Sequence, residues 1–199
     1  MRKYMLPKDV LYKVISRIAP VPDEELDKLF GLCHSVELKK ASLFVAAGDI
    51  PTKFGIVVSG LFRYYYLQEG GNEFTKGFFS EGSFLSSYSA TIAGTPSHFS
   101  IEALENSEVL VFDYGKWEAL RTGHPGWNQF LITVLEEAFT KKETREREFL
   151  LFDAEERYRL FLKRYPGLEK RVRQHVIASY LGITNVALSR VRRKMGMLT

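Results

Sequence analysis

The sequence contains a single cysteine and four scattered histidines, and both shortages limit its chemistry. Cys33 alone cannot form an internal disulfide or supply the thiolates of a zinc or iron–sulfur site. The histidines lack the paired spacing that metal sites use and include no evident haem ligand; they are His34, His98, His124 and His175. Neighbouring acids on predicted helices point in different directions and fit solvated faces better than acid–base catalysis. We therefore expect no metal, no catalytic residue and no enzyme.

Long apolar runs are also missing. No segment approaches the roughly 20 apolar residues that a membrane-spanning helix needs. The first residues, MRKYMLPKDV, lack the apolar run of a secretion signal. We therefore predict a cytoplasmic protein without a membrane partner. A hydrophobic content of 45% over 199 residues is enough for the cores of one large domain or two small ones.

Charge is distributed unevenly along the chain. Residues 157–199 hold 11 Lys or Arg against one acid, Glu169, which gives this segment a charge of +10. The net charge of the whole chain is only +4, so residues 1–156 carry −6. A basic C-terminal unit on a mildly acidic body is typical of a module that binds polyanions, attached to a sensor or scaffold.

The basic unit contains the pattern of two short helices joined by a tight turn, in RQHVIASYLGITNVALSRVRRK. Small and apolar residues predict the helix-turn-helix core, with glycine at the positive-φ turn: Ile177, Ala178, Leu181, Gly182, Ile183, Leu188 and Val191. Thr184 suits the N-cap of the second helix. The remaining polar face is suited to base edges and phosphates in a major groove, and its predicted DNA-binding residues are Thr184, Asn185, Val186, Ser189, Arg190, Arg192, Arg193 and Lys194.

The part of the chain before the basic unit has a different residue pattern. Apolar spacing over residues 9–18, and an acidic turn after Pro22, predict two short helices. From Ser35 to about Asp113, short runs rich in Val, Phe, Tyr and Ile are broken by glycines, which predicts an antiparallel β-barrel or β-roll. Hairpin turns are predicted at Ser59–Gly60 and at residues 69–72.

A long helix is predicted from Trp127 to Leu150, with neither Pro nor Gly inside it. At 1.5 Å per residue it spans roughly 36 Å, longer than a small barrel requires for cover. Its apolar stripe therefore predicts a homodimer, through Trp127, Phe130, Leu131, Val134, Leu135 and Ala138. Asp153 and Glu156 form a capping-box pattern that begins the next helix. These boundaries divide the chain into residues 1–125, 126–152 and 153–199.

Taken in order, several segments resemble the Crp/Fnr superfamily of bacterial transcription regulators. They are LFVAAGD, GIVVSGLFRYYY, FFSEGSFL, SIEALENSEVLVFDYGKWEAL, the long helix and VIASYLGITNVALSRVRRK. The resemblance implies an α+β fold with an N-terminal β-roll, or jelly roll, like a cyclic-nucleotide-binding domain, a dimerising helix and a C-terminal winged helix-turn-helix. It further implies a palindromic double-stranded DNA operator and RNA polymerase as partners.

The cassette that follows Gly82 departs from the relatives that bind cyclic nucleotides. Ser87 stands where the resemblance implies a glutamate for the ribose, and Ser97 lies where it implies an Arg-Ser pair for the cyclic phosphate. Because no arginine lies between Arg63 and Arg121, cyclic AMP is not expected as a ligand. The serines fit either a smaller polar effector or an empty roll. The predicted pocket residues are Gly82, Phe84, Leu85, Ser86, Ser87 and Ser97.

The recognition helix departs from the family as well. Asn185 and Val186 replace the frequent Arg-Glu pair, and Arg190 stands at the later arginine position. Arg190 is suited to hydrogen-bond guanine and Asn185 to hydrogen-bond adenine. Val186 is suited to contact a thymine methyl group. The ending GMLT predicts a truncated wing. An alternative function remains open: a β-roll that senses a ligand or docks a protein, attached to a basic end that binds nucleic acid without sequence preference.

Overall fold

The computed structural model describes residues 6–197 and begins with two helices. Helix α1 spans Pro7–Ile18, with its proline in the first turn, and α2 spans Asp23–Leu32, with acids in its first turn. Both lie where the sequence predicts them. Cys33 follows α2, where its thiol donates to the Leu29 carbonyl over 3.3 Å and burial raises the pKa of Cys33 to about 12.

Eight strands form the body of the molecule. They are β1 His34–Leu38, β2 Leu43–Val45, β3 Lys53–Ser59, β4 Leu61–Leu67, β5 Glu73–Ser80, β6 Phe84–Leu85, β7 Ser100–Ala103 and β8 Ser107–Asp113. The short helix α3, Tyr88–Ala93, separates β6 from β7. Two antiparallel sheets pack face to face, in the orders β1-β8-β3-β6 and β2-β7-β4-β5. This arrangement confirms the predicted β-roll.

One of the two predicted hairpins is wrong. Strands β3 and β4 follow each other at Ser59–Gly60 but belong to different sheets, so the chain turns a corner there. Gly60 has φ +113°, and a Cβ built on it would lie 2.0 Å from the Ser107 hydroxyl oxygen, so this corner requires glycine. The other hairpin is confirmed, because β4 and β5 pair directly across a turn at residues 68–72.

Helices make up the rest of the chain. They are α4 Tyr114–Arg121, α5 Pro125–Leu151, α6 Ala154–Arg164, α7 Gln174–Leu181 and α8 Asn185–Lys194, with a 3-10 turn at Leu168–Lys170. The predicted capping box is present: Asp153 accepts from the Glu156 amide, and Glu156 accepts from the Asp153 amide, each over 2.9 Å. Within residues 6–197 no strand follows α8.

Three groups of buried side chains hold these elements together. One fills the roll between the two sheets, and a second joins α1, α2, α4 and the first turns of α5 to the outer face of the first sheet. The third joins α6, α7 and α8 to Leu61 and Phe78 on the outer face of the second sheet. Across the described part of the chain, no helix combines the length and apolarity needed to cross a membrane.

Candidate nucleic-acid interface and effector cassette

Helices α7 and α8 form the predicted helix-turn-helix. Gly182 ends α7 with φ +67°, and the Ile183 amide donates back to the Ala178 carbonyl over 3.1 Å. The Thr184 hydroxyl accepts from the Ala187 amide over 3.1 Å and so caps α8, as predicted. Ile177, Ala178, Leu181 and Leu188 are buried, whereas Ile183 and Val191 are half-buried beside them.

One face of α8 is open to solvent and rich in recognition chemistry. Asn185, Val186, Arg190 and Arg193 are exposed on it, and Val186 retains 62% of its accessible surface. An exposed β-branched apolar residue among arginines has no packing role within this chain. The face therefore offers an amide, a methyl surface and two guanidinium groups in one patch, which can contact base edges and phosphates in a DNA groove.

Three other residues predicted for this face are placed differently. Arg192 is half-buried, and its Nε is buried without a hydrogen-bond partner among the described residues. It lies beside Tyr158, whose pKa is raised mainly by burial and lowered in smaller part by the charge of Arg192. Lys194 is paired with Glu155 over 2.6 Å, and Ser189 is half-buried. Arg192 therefore does not face wholly outward as predicted, and its contact with phosphate stays a prediction.

Helix α7 also docks onto the roll through polar contacts. The Ser179 hydroxyl donates to the Glu73 carbonyl over 2.6 Å and accepts from the Thr75 amide over 2.8 Å, so it bridges two backbone groups of the edge strand β5. Arg145 of α5 donates to the carbonyls of Thr75 and Tyr180 and stacks 3.8 Å from the Tyr180 ring centre. This junction connects α5, β5 and α7.

Arg171, one of the basic residues of the C-terminal segment, makes a further contact between the helical unit and the roll. Its guanidinium group pairs with Glu105 over 2.5 Å and with Glu81 over 3.4 Å, both on the roll. These acids, Glu105 first, raise the pKa of Arg171 above its usual value. Part of the basic segment therefore holds the helical unit to the acidic body, and its charge is not available to a polyanion.

In the cassette, the two key serines bond to each other. The hydroxyls of Ser87 and Ser97 lie 2.9 Å apart, and the Ser97 hydroxyl also donates to the Phe99 carbonyl over 2.7 Å. Both side chains are buried, at 1% and 3% exposure. Their hydrogen-bonding capacity is therefore used within the loop, which leaves little for a phosphate group.

The remaining predicted pocket residues do not line one cavity. Leu85 is buried inside the roll, but Phe84 points away from it and packs edge-on against Phe130 of α5, with 5.3 Å between ring centres. The Ser86 amide donates over 2.9 Å to the hydroxyl of Tyr64, whose ring stacks on Phe79 and Phe99 inside the roll. Burial raises the pKa of the Tyr64 phenol. Gly82 has φ +79° and forms a turn.

The first half of the predicted dimer stripe packs inside its own chain. Trp127 is fully buried and donates from its indole nitrogen to Glu25 over 3.0 Å, and Phe130 is 6% exposed. Leu131 and Val134 are half-buried against the same group. Trp127 and Phe130 are therefore wrongly predicted as partner contacts, because α1 and α2 cover this end of α5. Leu135 and Ala138 are exposed, and the exposed Ile132 and Phe139 extend their surface.

Together these parts define a class of protein in which one long helix joins a β-roll to a helix-turn-helix. Residues 35–124, from β1 to the turn after α4, match the family model of the cyclic nucleotide-binding domain, so this part of the chain is similar to such domains. No curated protein sequence matches the chain.

Solved structures extend the similarity beyond the roll. CLP, the c-di-GMP responsive global regulator of Xanthomonas campestris, matches with a TM-score of 0.73 at 15% identity over 88% of this chain and 92% of its own. A CooA mutant from Carboxydothermus hydrogenoformans matches with a TM-score of 0.68 at 20% identity over 86% of this chain and 81% of its own. FixK2 of Bradyrhizobium japonicum matches with a TM-score of 0.70 at 17% identity over 84% of this chain and 87% of its own. The chain therefore has the fold of these regulators, which is the fold that its sequence motifs predict.

Proposed function

We propose that the chain is a homodimeric, sequence-specific DNA-binding transcription regulator. The observation that carries this proposal is the open face of α8, where Asn185, Val186, Arg190 and Arg193 stand exposed on a capped helix beside a tight turn. A helix presented in this way fits the major groove, with its first residues near base edges. The family resemblance also implies contact with RNA polymerase. That part of the proposal holds only if the chain is a transcription regulator.

The dimer is supported by the exposed apolar side of α5. Ile132, Leu135 and Phe139 are spaced three and four residues apart, which places them on one side of the helix, and each exposes more than a third of its surface. Such a stripe on the helix that joins the two units fits a second copy of the same helix. A two-fold dimer would present two copies of α8 and so favour a palindromic operator.

The β-roll is proposed as a sensor whose effector differs from cyclic AMP. This part of the proposal is supported by the hydrogen bond between Ser87 and Ser97 and by the absence of arginine from residues 64–120. CLP is a c-di-GMP responsive regulator, so a different phosphorylated signal is compatible with this type of fold. The proposal gives the chain no catalytic role.

Selection of bound duplexes from a random DNA pool tests the function. The expected result is a palindromic consensus with half-sites about 10 base pairs apart, one helical turn from centre to centre. A bound pool with no enriched sequence would contradict the proposal. That result would favour the alternative, a ligand-sensing or protein-docking roll with a basic end that binds nucleic acid without sequence preference.

A further inference from the structure

Strand β5 is the outermost strand of the second sheet, and a side chain of the helix-turn-helix occupies its outer edge. The Ser179 hydroxyl donates to the Glu73 carbonyl over 2.6 Å and accepts from the Thr75 amide over 2.8 Å. Glu73 and Thr75 are two residues apart, so these backbone groups point to the same side of the strand. Ser179 therefore bonds to β5 as a residue of a neighbouring strand would.

The bridge made by Ser179 fixes a position more tightly than a contact between two long side chains. Both of its partners are backbone groups of a strand that pairs with β4, and the serine side chain is short. The ion pair of Lys194 with Glu155, by contrast, joins flexible side chains, and that of Lys194 is 76% exposed. Ordering such a surface pair costs side-chain entropy. The bridge therefore holds α7 at a defined place along β5.

Helix α7 is also tied to α5 at this place. Arg145 of α5 donates to the carbonyls of Thr75 on the strand and of Tyr180 on α7. Arg164 of α6 donates to the buried Glu148 of α5 over 3.0 Å and to the Tyr180 hydroxyl over 2.9 Å. The position of α7 is therefore fixed relative to both β5 and α5.

Helix α8 moves with α7, because the two share the buried residues Ala178, Leu181 and Leu188. In the proposed dimer the two-fold axis lies beside α5, so the position of α8 relative to α5 sets the distance between the two recognition helices. One base pair is about 3.4 Å along the duplex and about a tenth of a turn. A shift of a few ångströms at the bridge therefore changes the half-site spacing that the dimer fits.

We propose that Ser179 is a positioning residue that determines specificity: it sets the spacing of the half-sites that the dimer accepts, without contacting DNA. Its hydroxyl bonds to β5, and the residue is half-buried beside that strand. The inference rests on the proposed function, because half-site spacing has meaning only for a dimer on a two-part operator.

The test compares three duplexes by fluorescence anisotropy with the full chain: the selected palindrome, the same palindrome with one base pair inserted between its half-sites, and a single half-site. In the unmodified chain the insertion should weaken binding at least about tenfold, the scale of a lost base contact. In Ser179→Ala the loss on insertion should fall below about threefold, because freed helical units adapt to either spacing. Affinity for the palindrome should fall several-fold, since only the docked fraction is ready to bind, and affinity for the half-site should change less than about twofold.

Two variants serve as controls. Ser179→Thr keeps the hydroxyl and should restore the loss on insertion. Ser97→Ala removes a buried hydroxyl that is hydrogen-bonded elsewhere in the roll, and it should leave the binding of all three duplexes unchanged.

Hydrogen exchange gives a result that does not involve DNA. The Thr75 amide should exchange faster in Ser179→Ala and at the original rate in Ser179→Thr. The Val57 amide, which donates to the Ser83 carbonyl over 3.0 Å, should be unchanged in both, which shows that the roll is folded.

The inference is overturned if Ser179→Ala keeps the full loss on insertion, if it weakens half-site and palindrome binding equally, or if exchange of the Thr75 amide does not change. In each of these cases the unmodified chain still prefers the palindrome, so the proposed function stands. An unmodified chain that binds all three duplexes equally would contradict the proposed function, and this inference with it.

Discussion

The serine cassette and the recognition helix are both rich in polar residues, but they use them in opposite ways. Ser87 and Ser97 are buried and satisfy each other, whereas Arg190 and Arg193 are exposed and form no salt bridge within the described residues. A polar group that is already hydrogen-bonded in a closed loop gains little from a ligand, because binding must first break an existing bond. The comparison favours α8 as a binding surface and disfavours the cassette as a phosphate site.

In the helix-turn-helix, substitution at the turn between α7 and α8 is expected to have the largest effect on stability. Gly182→Ala places a Cβ 2.5 Å from the ring of Phe149 at φ +67°, so we expect a loss of about 2–3 kcal/mol in unfolding free energy, from backbone strain and overpacking. Gly167→Ala is the matched control: its φ is +77°, but no atom lies within 4 Å of the added carbon, so only the strain of about 1–2 kcal/mol is expected.

Denaturant unfolding measures both changes. Phe149→Ala should remove the clash at Gly182, so that Gly182→Ala then costs no more than Gly167→Ala. Equal costs at the two glycines in the unmodified chain would show that the ring moves aside freely, and that Phe149 does not constrain the turn.

In the proposed dimer, two copies of α8 face the DNA, and the exposed apolar stripe of α5 holds the two copies together. Phe139→Ser should weaken the dimer by about 1.5–3 kcal/mol, the scale of burying one large apolar side chain, without affecting the fold of the roll. Light scattering on the unmodified chain should give about twice the chain mass of 22.9 kDa. Phe139→Leu, which keeps an apolar surface, should remain dimeric at the same concentration. A monomeric unmodified chain at micromolar concentration would remove the argument for a palindrome.

Substitutions of base-contacting and phosphate-contacting residues of α8 should change DNA binding in different ways. Arg190→Ala should cost about 1–3 kcal/mol on the preferred site and relax discrimination at one base pair of each half-site. Arg193→Ala should weaken binding to all sequences alike and reduce the salt slope by roughly one unit per lost phosphate contact. If Arg190→Ala lowers specific and nonspecific binding equally, Arg190 contacts phosphate, and base reading lies with Asn185 and Val186.

The smallest expected effect is at the cassette. Cyclic AMP should give no calorimetric binding at micromolar concentrations, because Ser87 and Ser97 provide no charge-assisted partner for its phosphate. Ser97→Ala should leave this result and the DNA affinity unchanged. A micromolar dissociation constant for cyclic AMP would show that the roll rearranges around it and that the cassette has been assigned to the wrong residues.

Local patterns allowed most of the fold to be predicted. The Thr184 cap, the Gly182 turn and the capping box at Asp153 depend on residues within four positions of each other, so the sequence shows them directly. The corner at Gly60 is different, because its reason is the Ser107 side chain on a distant strand. A glycine between two apolar runs looks the same in a hairpin and in a corner between sheets.

The tertiary contacts of individual side chains were harder to predict. The apolar spacing of α5 is visible in the sequence. The sequence does not show that Trp127 packs beneath α1 and α2 and donates a hydrogen bond to Glu25. Similarly, Arg171 and Arg193 look alike as basic residues, and only the docking of α7 on the roll uses the first in ion pairs with Glu105 and Glu81. Sites that depend on such long-range pairing can be predicted only once the fold is known.

The most direct test of the central claim is the specificity ratio of the unmodified chain. Dissociation constants are measured for the selected duplex and for a scrambled duplex of equal length and composition, at about 150 mM salt, where nonspecific charge contacts are weakened. The account predicts that the selected site is bound at least about 10³-fold more tightly. A ratio within about threefold would contradict it and would make the basic end a nonspecific nucleic-acid contact.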